Sequence, residues 1–524
     1  MRRKLYLETF GCQMNVLDSE LVMGQLRVQG YDATESPDQA DVILYNTCSV
    51  REHAEQKVWS RLGALRERKT EQPNLVIGVI GCMAERDGEN LFRKFPHIDI
   101  LCGPGELDKL PGMVHNASVA SSASIASSVS VASSAPTVTA MNAHRVGPGR
   151  HVALMGSTSR RSSTLAQAED SLELLDLSRS ISASDGVSQA YVRITRGCNK
   201  FCTYCVVPYT RGPEVHRPPQ NIIDEVRKLT DTGVKEVTLL GQTINHYAYK
   251  HGDGRTTTFA DLLFQIHEAT ADLPRLRFVT SFPRDFTDAA LQAMRDCRRI
   301  CRYLHVPAQH GSDRILKMMN RGYTSGDYDD FVARARAMMP DISLASDFIV
   351  GFPTETDAEF AQSVAVIRRS RFKNSFIFKY SPRPGTTAMD RYVDDIPEDV
   401  KRQRNNELLA VQQEVSAQGN REMIGRTVEV MVEGESRLVS RQSAALSKVM
   451  AGGQAKVELL WETRTSPSDV ARLPAESVTT QLTGRTRGDQ IIAFDGPLSL
   501  TGEMVDVEIV DAKNLTLFAK RLVP

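Results

Sequence analysis

Three cysteines in one short loop have the spacing of iron-sulfur ligands. Cys198, Cys202 and Cys205 lie four and three positions apart. Three thiolates this close hold three irons of a 4Fe-4S cluster, and the fourth iron then has no protein ligand. The alternative is a zinc site that lacks one ligand. Structural zinc usually takes four nitrogen or sulfur ligands, often from two CxxC pairs, and this loop supplies only three thiols.

The first 115 residues carry three apolar runs that predict β-strands, separated by helical patterns. Alternating strands and helices indicate an α/β domain with a parallel sheet. The predicted strands are Lys4 to Glu8, Asp41 to Tyr45 and Leu75 to Ile80, and the predicted helices are Leu17 to Gln29, Val50 to Arg68 and Glu85 to Lys94.

A cysteine follows each of these strands, namely Cys12, Cys48 and Cys82. Right-handed crossovers place the carboxyl ends of parallel strands at one edge of the sheet, where open α/β sheets bind ligands. A single free cysteine is more often simply buried. Three cysteines at equivalent places predict a second three-cysteine cluster. Cys102 follows a fourth, short apolar run and is interpreted as a packed cysteine.

Composition indicates several domains and no membrane span. A chain of 524 residues suggests about three domains. No apolar run reaches the length of about 18 residues that a spanning helix needs, and the basic start lacks the apolar stretch of a secretory signal. Nine cysteines, an odd number, indicate metal ligation more than a disulfide framework.

The net charge of zero does not indicate a nucleic-acid binder, so any RNA contact must come from local groups. Such basic runs are more often a solvated face than a binding patch. The candidates are Arg193, Arg196, Lys200, Arg211 and Arg217 near the cysteine loop, and Arg368, Arg369, Arg371 and Lys373 further along.

Residues 116–189 differ in composition from the rest of the chain. The stretch from Ser118 to Ser134 is almost entirely Ser, Ala and Val. Large apolar residues are sparse, which predicts disorder because little burial offsets the ordering entropy. One short helix is expected over residues 169–178. The simplest interpretation is a tolerated insertion; a regulatory segment or an added basic RNA contact is the alternative.

Residues 190–420 contain six strand-like runs with helical patterns between them. In (β/α) barrels the functional residues lie at the carboxyl ends of the strands, and six repeats make about three quarters of such a barrel. We therefore predict a partial (β/α)6 barrel, open to a large substrate from the side. The runs are Tyr191 to Thr195, Glu236 to Leu240, Leu276 to Thr280, Arg302 to Val306, Leu344 to Val350 and Ser375 to Tyr380.

The tail from residue 421 predicts a small β-barrel after one long polar helix, Glu398 to Gly419. Short strands separated by turns are typical of this architecture. The predicted strands are Thr427 to Val432, Lys456 to Leu460, Gln490 to Phe494, Met504 to Val510 and Leu515 to Arg521.

The cysteine loop resembles the signature of radical S-adenosylmethionine (SAM) enzymes, with the aromatic Tyr204 before the last cysteine. Two three-cysteine sets in one chain resemble the radical SAM methylthiotransferases. Residues 1–115 and 190–524 carry this resemblance, and Gly484 to Phe494 resembles the TRAM domain, an OB-like RNA-binding module. The motifs closest to the tRNA dimethylallyladenosine branch are Thr9-Phe-Gly-Cys-Gln-Met-Asn15, Asn46-Thr-Cys-Ser-Val-Arg-Glu-His-Ala-Glu55 and Gly81-Cys-Met-Ala-Glu-Arg86.

The resemblance implies an enzyme with two 4Fe-4S clusters and SAM as cofactors. One cluster is implied on Cys198, Cys202 and Cys205, where the open iron binds SAM. The other is implied on Cys12, Cys48 and Cys82, where it presents sulfur. One motif implied to bind SAM begins with the stretch from Asp347 to Gly351, and it departs from the family pattern in two ways. Asp347 stands where a glycine is usual, and the acidic residue that closes the motif is displaced by one position, to Glu355. The positions implied to contact SAM are Gly241, Gln242, Ser312, Ile349 and Gly351.

The implied reaction is methylthiolation of C2 of N6-(dimethylallyl)adenosine next to the anticodon, with SAM as radical source and methyl donor. The implied partners are the tRNA anticodon stem-loop, an electron donor such as flavodoxin or ferredoxin, and sulfur- or cluster-delivery proteins. The protein is expected to be a cytoplasmic monomer without a membrane partner. The predicted domains are a methylthiotransferase N-terminal domain (1–115), an insertion (116–189), a radical SAM core (190–420) and a TRAM domain (421–524).

Two alternatives remain at this stage. A methylthiotransferase could act on threonylcarbamoyl-adenosine in tRNA or on a ribosomal-protein aspartate, and analysis of tRNA from a deletion strain separates these targets. A protein of a different class would be a non-catalytic iron-sulfur RNA-binding sensor. Such a sensor would release no 5′-deoxyadenosine from SAM under reducing conditions.

Overall fold

The computed structural model describes residues 2–49, 52–126, 150–154, 172–179, 186–436, 439–440 and 479–522. The first domain is built on a six-stranded sheet with the order β2-β1-β3-β4-β5-β6, and each neighbouring pair is parallel. This sheet confirms the predicted α/β class. Its strands are β1 (Arg3–Thr9), β2 (Tyr31–Ala33), β3 (Val42–Thr47), β4 (Val76–Gly81), β5 (Ile100–Cys102) and β6 (His151–Ala153).

Helices cover both faces of this sheet, and every residue of β3 and β4 is buried, as expected for central strands of a parallel sheet. The single helix predicted over Glu85 to Lys94 is wrong. Gly88, with φ of 50°, ends one helix and a second begins two residues later. The helices are α1 (Gln13–Val28), α2 (Glu52–Glu71), α3 (Cys82–Asp87), α4 (Asn90–Lys94) and α5 (Leu110–Ala126).

Part of the segment predicted to be disordered is ordered. Helix α5 continues to Ala126, past the predicted boundary at residue 115, and β6 adds a strand to the sheet. A further helix, α6 (172–177), lies where a short helix was expected. Leu175 of α6 is buried in the core of the first domain. Composition did not reveal this order because a short helix gains its stability from tertiary packing. The low-complexity residues 127–149 lie outside the described residues.

The second domain is the predicted partial barrel. Its six parallel strands run in chain order, and a bridge between Leu276 and Ile300 joins the two halves. Among the described residues, the first strand pairs only with the second and the last only with the fifth, so the barrel is open between them. The strands are β7 (Gln189–Arg193), β10 (Glu236–Leu240), β13 (Arg275–Val279), β14 (Tyr303–His305), β15 (Ser343–Val350) and β16 (Asn374–Lys379).

Two short ribbons and a layer of helices complete this domain. The ribbons pair β8 (Thr195–Arg196) with β9 (Val215–His216), and β11 (Ala248–Lys250) with β12 (Thr256–Thr258). Three of the helices begin with capping boxes, at Thr258, Thr324 and Thr356. The helices are α7 (Val207–Thr210), α8 (Pro219–Asp231), α9 (Phe259–Ala269), α10 (Asp288–Asp296), α11 (Asp313–Met318), α12 (Ser325–Met338), α13 (Asp357–Ser370), α14 (Thr387–Arg391) and α15 (Glu398–Arg421).

The two faces of the barrel strands pack against different parts of the protein. Leu276 and Phe278 pack beneath the helices, whereas Val279 points to the inner face. Together with Tyr191 and Leu240, Val279 contacts the hydrophobic core of the first domain. The first domain therefore covers the inner face of β7, β10 and β13.

The tail forms a closed five-stranded barrel with the order β17-β18-β19-β21-β20. This confirms the predicted small β-barrel. The second strand is Thr479–Thr486, which the sequence analysis did not identify, and the strand predicted over Lys456 to Leu460 lies outside the described residues. The strands are β17 (Thr427–Glu435), β18 (Thr479–Thr486), β19 (Ile491–Pro497), β20 (Met504–Lys513) and β21 (Thr516–Arg521).

The small barrel docks against the amino-terminal ends of the large barrel's strands. Arg275 at the start of β13 is fully buried and donates to the Arg485 carbonyl at 2.8 Å and to Glu429 Oε1 at 3.0 Å. Lys373, just before β16, donates to Asp489 at 2.5 Å. Arg487 donates to the Arg298 carbonyl at 2.6 Å across this interface, whereas Arg485 pairs with Glu433 and Asp489 within the small barrel.

Replacing Arg275 by Met should weaken this docking by about 2–4 kcal/mol, because the carbonyls of Arg485 and Glu429 lose this donor and the Glu429 carboxylate loses one of its two. Hydrogen exchange of β17 and β18 in the full chain should become faster and the melting temperature should fall. The control is Arg255→Met, which removes an exposed pair with Asp253. Equal protection of β17 and β18 in both variants would contradict this role for Arg275.

Candidate active site

The loop with Cys198, Cys202 and Cys205 lies between β8 and α7, at the carboxyl end of the first barrel strand. The Cys198 N–H donates to the Gly212 carbonyl at 3.2 Å, and the Cys205 N–H donates to the Cys202 carbonyl at 3.0 Å. Gly197 has φ of 68°, and a Cβ there would lie 1.9 Å from the Pro213 carbonyl oxygen. The sequence therefore needs glycine beside the first cysteine to bend the loop this tightly.

Two side chains from other parts of the barrel contact the sulfur atoms of this loop. Thr243 Oγ1 lies 3.5 Å from Cys198 Sγ, and Arg321 Nη1 donates to Cys202 Sγ at 3.3 Å. Burial raises the pKa of Cys198, and it raises the pKa of Cys205 to about 12. Metal binding must therefore displace protons from these thiols.

Arg321 was not identified from the sequence as a site residue. It is 6% exposed and lies 4.4 Å from the centre of the Phe282 ring. Its second nitrogen donates to the Pro307 carbonyl at 3.1 Å, which fixes the guanidinium beside Cys202. It stands more than a hundred positions after the cysteine loop, so no local pattern connects the two.

The first-domain cysteines lie side by side, as predicted, because β1, β3 and β4 are neighbours in the sheet. Cys48 and Cys82 directly follow β3 and β4, and both are buried. A Cβ at Gly11 would lie 2.7 Å from Cys48 Cβ, so the loop that carries Cys12 touches Cys48. All three cysteines are free thiols.

Polar side chains of the sequence motifs join these strand ends. The Asn15 amide donates to the Phe10 carbonyl at 3.1 Å and to the Thr47 carbonyl at 2.9 Å. The Thr47 hydroxyl donates to the Ile80 carbonyl at 2.7 Å. These bonds connect the loops of Cys12, Cys48 and Cys82, which explains the Asn residues of the motifs in physical terms.

Arg211, six positions after Cys205, reaches across to the first-domain cysteines. It donates to Asn15 Oδ1 and to Asp18 Oδ2, each at 2.9 Å. Burial raises the pKa of Cys82, and the positive charge of the nearby Arg211 guanidinium partly offsets this effect. Helix α3, which begins at Cys82, also packs against α7. The two three-thiol sites therefore face one another across the domain boundary.

The arginines proposed as RNA contacts near the cysteine loop are instead buried in an ion-pair network. Arg193 donates to Asp18 at 2.7 Å and to Asp176 of α6 at 2.5 Å. Arg196 and Arg217 also pair with Asp176. Burial raises the pKa of Asp176, but the three arginines outweigh it and hold that pKa below its usual value. These side chains support the cysteine loop and do not face solvent.

The donor set fits 4Fe-4S clusters. Among the described residues, no three His, Cys, Asp or Glu side chains converge as ligands of one metal ion do. A cubane cluster places each thiolate on a different iron, so spaced thiols suit it. Buried polar atoms without a hydrogen-bond partner among the described residues, Thr195 Oγ1, Gln242 Oε1 and Ser281 Oγ, lie at successive strand ends. Such atoms fit the amino and carboxylate groups of SAM.

The predicted SAM positions fall into two groups. Gly241 packs against Thr195, because a Cβ there would lie 2.5 Å from Thr195 Oγ1, and Gln242 follows it at the site. Ile349 lies on β15, half-buried. In contrast, Ser312 caps α11 and donates to Glu359 at 2.9 Å. Gly351, with φ of 69°, lies beneath the Lys401 side chain.

Glu355, the displaced acidic residue of the motif implied to bind SAM, has a structural role in the part of the chain that the structure describes. It is fully buried, bonds His310 at 2.8 Å, and accepts the Gly351 N–H at 2.5 Å and an Arg404 N–H at 2.8 Å. Cys102 is also buried, and its thiol donates to the Glu106 carbonyl at 3.2 Å. This contact agrees with the interpretation of Cys102 as a packed cysteine.

Family models match two parts of the chain. Residues 4–103 match the family described as "Uncharacterized protein family UPF0004", and residues 192–367 match the Radical SAM superfamily. The two matched ranges carry the two cysteine sets, Cys12, Cys48 and Cys82 in the first and Cys198, Cys202 and Cys205 in the second. The Radical SAM match confirms the interpretation of the cysteine loop.

Relatives match almost the entire chain. The tRNA-2-methylthio-N(6)-dimethylallyladenosine synthase of Rhodopirellula baltica is 42% identical over 521 residues, which cover 99% of this chain and 96% of the relative. The protein of the same name from Bordetella petrii is 38% identical over 520 residues, with 99% and 91% coverage. The chain belongs to this family. Family membership confirms the resemblance drawn from the motifs and makes the protein a radical SAM enzyme.

A solved structure shares the fold of most of this chain. The radical SAM methyltransferase TsrM from Kitasatospora setae, with tryptophan and aza-SAM bound, gives a TM-score of 0.51 at 16% identity. The similarity covers 74% of this chain and 75% of TsrM. At this identity the match concerns the fold alone. No described helix is long and apolar enough to cross a membrane.

Each three-thiol site should load its own cluster. We expect about eight irons per chain after anaerobic reconstitution, falling to about four in a Cys12/Cys48/Cys82 triple Ala variant and to about four in a Cys198/Cys202/Cys205 triple Ala variant. Iron and sulfide analysis with Mössbauer spectra measures this. The control is Cys102→Ala, which should keep about eight irons. Four irons in the unchanged protein would contradict two cluster sites.

Replacing Arg211 by Gln should selectively weaken the first site. Asp18 would keep only Arg193, and removing one partner of a buried ion pair costs about 3–5 kcal/mol. We expect a lower melting temperature and iron loss from the first-domain site, with the Cys198 site retained in Mössbauer spectra. Arg334→Gln, which breaks an exposed pair with Asp288, should change neither. Loss of iron from both sites in equal proportion would contradict a local role for Arg211.

Proposed function

We propose that this protein replaces the hydrogen at C2 of N6-(dimethylallyl)adenosine in tRNA by a methylthio group. The observation that carries the proposal is the pair of three-thiol sites that face each other at Arg211, in a chain of this family. The C2 atom of adenine has neither an acidic hydrogen nor a leaving group. Acid-base catalysis is therefore poorly suited to this substitution, and two neighbouring cluster sites suit it well.

Two 4Fe-4S clusters and SAM, when bound, supply the radical and the methylthio group. The chain's own residues bind and orient these groups. Cys198, Cys202 and Cys205 hold one cluster, and Arg321 donates to the sulfur of Cys202. Hydrogen bonds to ligand sulfurs and a nearby cation favour the reduced state of a cluster. Cys12, Cys48 and Cys82 hold the other cluster.

The strand ends of the barrel position SAM beside the open iron. Gly241 lets the backbone approach, since a side chain there would strike Thr195. The unpartnered oxygens of Thr195, Gln242 and Ser281 provide hydrogen-bonding groups at that place. The first domain covers the inner face of β7, β10 and β13, where Tyr191, Leu240 and Val279 pack against its core.

The tRNA anticodon stem-loop enters, in this proposal, at the open side between β7 and β16. A base of a single-stranded loop is accessible to a protein without melting a duplex. The small barrel is an RNA-binding TRAM module, with the exposed Lys520 and its neighbour Arg521 as phosphate contacts. We do not assign Arg485 and Arg487 to that role, since both are paired with carboxylates of the small barrel and Arg487 also donates to the Arg298 carbonyl at 2.6 Å.

The remaining partners follow from the chemistry. A one-electron donor such as flavodoxin or ferredoxin reduces the cluster, and sulfur- or cluster-delivery proteins restore what turnover consumes. We propose that the protein is a monomer and acts in the cytoplasm, where its tRNA is found.

We keep the domain limits proposed from sequence except at residue 115, since α5 and β6 extend the first domain beyond that residue.

The test is nucleoside mass spectrometry of tRNA from a strain that lacks this activity, with and without the protein. We expect dimethylallyladenosine to decrease and its 2-methylthio derivative to appear only with the intact chain. The Cys48→Ala variant should still release 5′-deoxyadenosine from SAM but form no methylthio product. Methylthiolated threonylcarbamoyl-adenosine in that tRNA, or a methylthiolated aspartate in peptide mass spectrometry of the ribosomal proteins, would overturn the substrate. Absence of 5′-deoxyadenosine would overturn the enzyme in favour of an iron-sulfur sensor.

A further inference from the structure

The inner face of β14, β15 and β16 carries exposed aromatic rings, unlike the covered half of the barrel. Phe376 and Phe378 on β16 are 47% and 37% exposed. Strand register places Phe376 beside Asp347 and Phe378 beside Ile349. Phe348 and Val350 point the other way and are fully buried. These rings therefore line the inside of the barrel next to its open side.

A fixed hydrogen-bonded chain lies beside Phe376. His305 bonds Thr280 Oγ1 through Nδ1 at 2.6 Å and Asp347 Oδ1 through Nε2 at 2.8 Å. Its ring also meets the Phe376 ring edge-on, with centroids 6.0 Å apart at 86°. Both ring nitrogens are used, so His305 orients its neighbours and is not free to contact a ligand through nitrogen.

This chain connects to the site already described. The Thr280 N–H donates to the Gly241 carbonyl at 3.3 Å, and the Ile244 N–H donates to the Thr280 carbonyl at 3.0 Å. Gly241 is the position that contacts Thr195 near the cysteine loop. The aromatic face is thus continuous with the strand ends that we propose for SAM.

We propose that Phe376, Phe378 and Asp347 form the binding site for the prenylated purine base, an inference that rests on the proposed function. A flipped base presents an aromatic face that stacks on Phe376. The five-carbon prenyl group is apolar and suits the second ring, Phe378. The Asp347 carboxylate is 23% exposed and retains acceptor capacity beyond His305 for the single N6–H of the base.

Binding of anticodon stem-loops to the reconstituted protein tests this inference. One RNA carries the prenylated adenine at the target position, and the other is abasic there. The unchanged protein should bind the prenylated RNA more tightly. Phe376→Ala should weaken that binding by about 5- to 150-fold, the range for one base stacked on an aromatic ring, and should leave the abasic RNA unaffected. Phe376→Tyr, which keeps the ring, should retain most of the affinity.

The matched control is Phe264→Ala, since Phe264 on α9 is 40% exposed away from the inner face. It should bind both RNAs as the unchanged protein does. Iron content and the melting temperature show whether each variant is folded and loaded. Equal binding of both RNAs by the unchanged protein would overturn the proposed substrate. If the unchanged protein binds the prenylated RNA more tightly than the abasic RNA, and Phe376→Ala shows the same difference, only the proposed base site would be overturned.

Discussion

The buried carboxylate of Asp18, held between Arg193 and Arg211, is the interaction on which the arrangement of the two cysteine sites depends. Removing such charges from water costs several kcal/mol per ion, and the cost is offset only when the partners are fixed at close range. Arg193 lies on the first barrel strand and Arg211 follows the cysteine loop. A displacement of either domain would leave Asp18 unpaired, so the network opposes it.

The same network explains the structural role of helix α6, although this helix lies within a long insertion. Its Asp176 pairs with Arg193 on β7, Arg196 on β8 and Arg217 just after β9, and its Leu175 packs into the first domain. A second contact on the far side, from Arg383 to Glu55 at 2.9 Å, joins the loop after β16 to α2. The ion-pair network and this second contact therefore fix the first domain against the large barrel at two places. The two thiol sites lie between these places.

The small barrel occupies the opposite end of the structure. Its buried contacts with Arg275 and Lys373 close the amino-terminal ends of the large barrel's strands. Among the described residues, the large barrel remains open at the side between β7 and β16. This arrangement explains why basic side chains that appear suited to RNA in the sequence are engaged inside the protein.

The sequence by itself determined the chemistry of this protein. Thiol spacing, strand-like runs and turn glycines are local properties, so they predicted the two three-cysteine sets, the parallel sheet, the partial barrel and the small barrel. Tertiary structure alone decided which distant side chains serve those thiols. Arg321 beside Cys202, Arg211 between the two sites and Asp176 in the insertion act through contacts between remote segments. No local pattern encodes such contacts, because they arise from packing of complete domains.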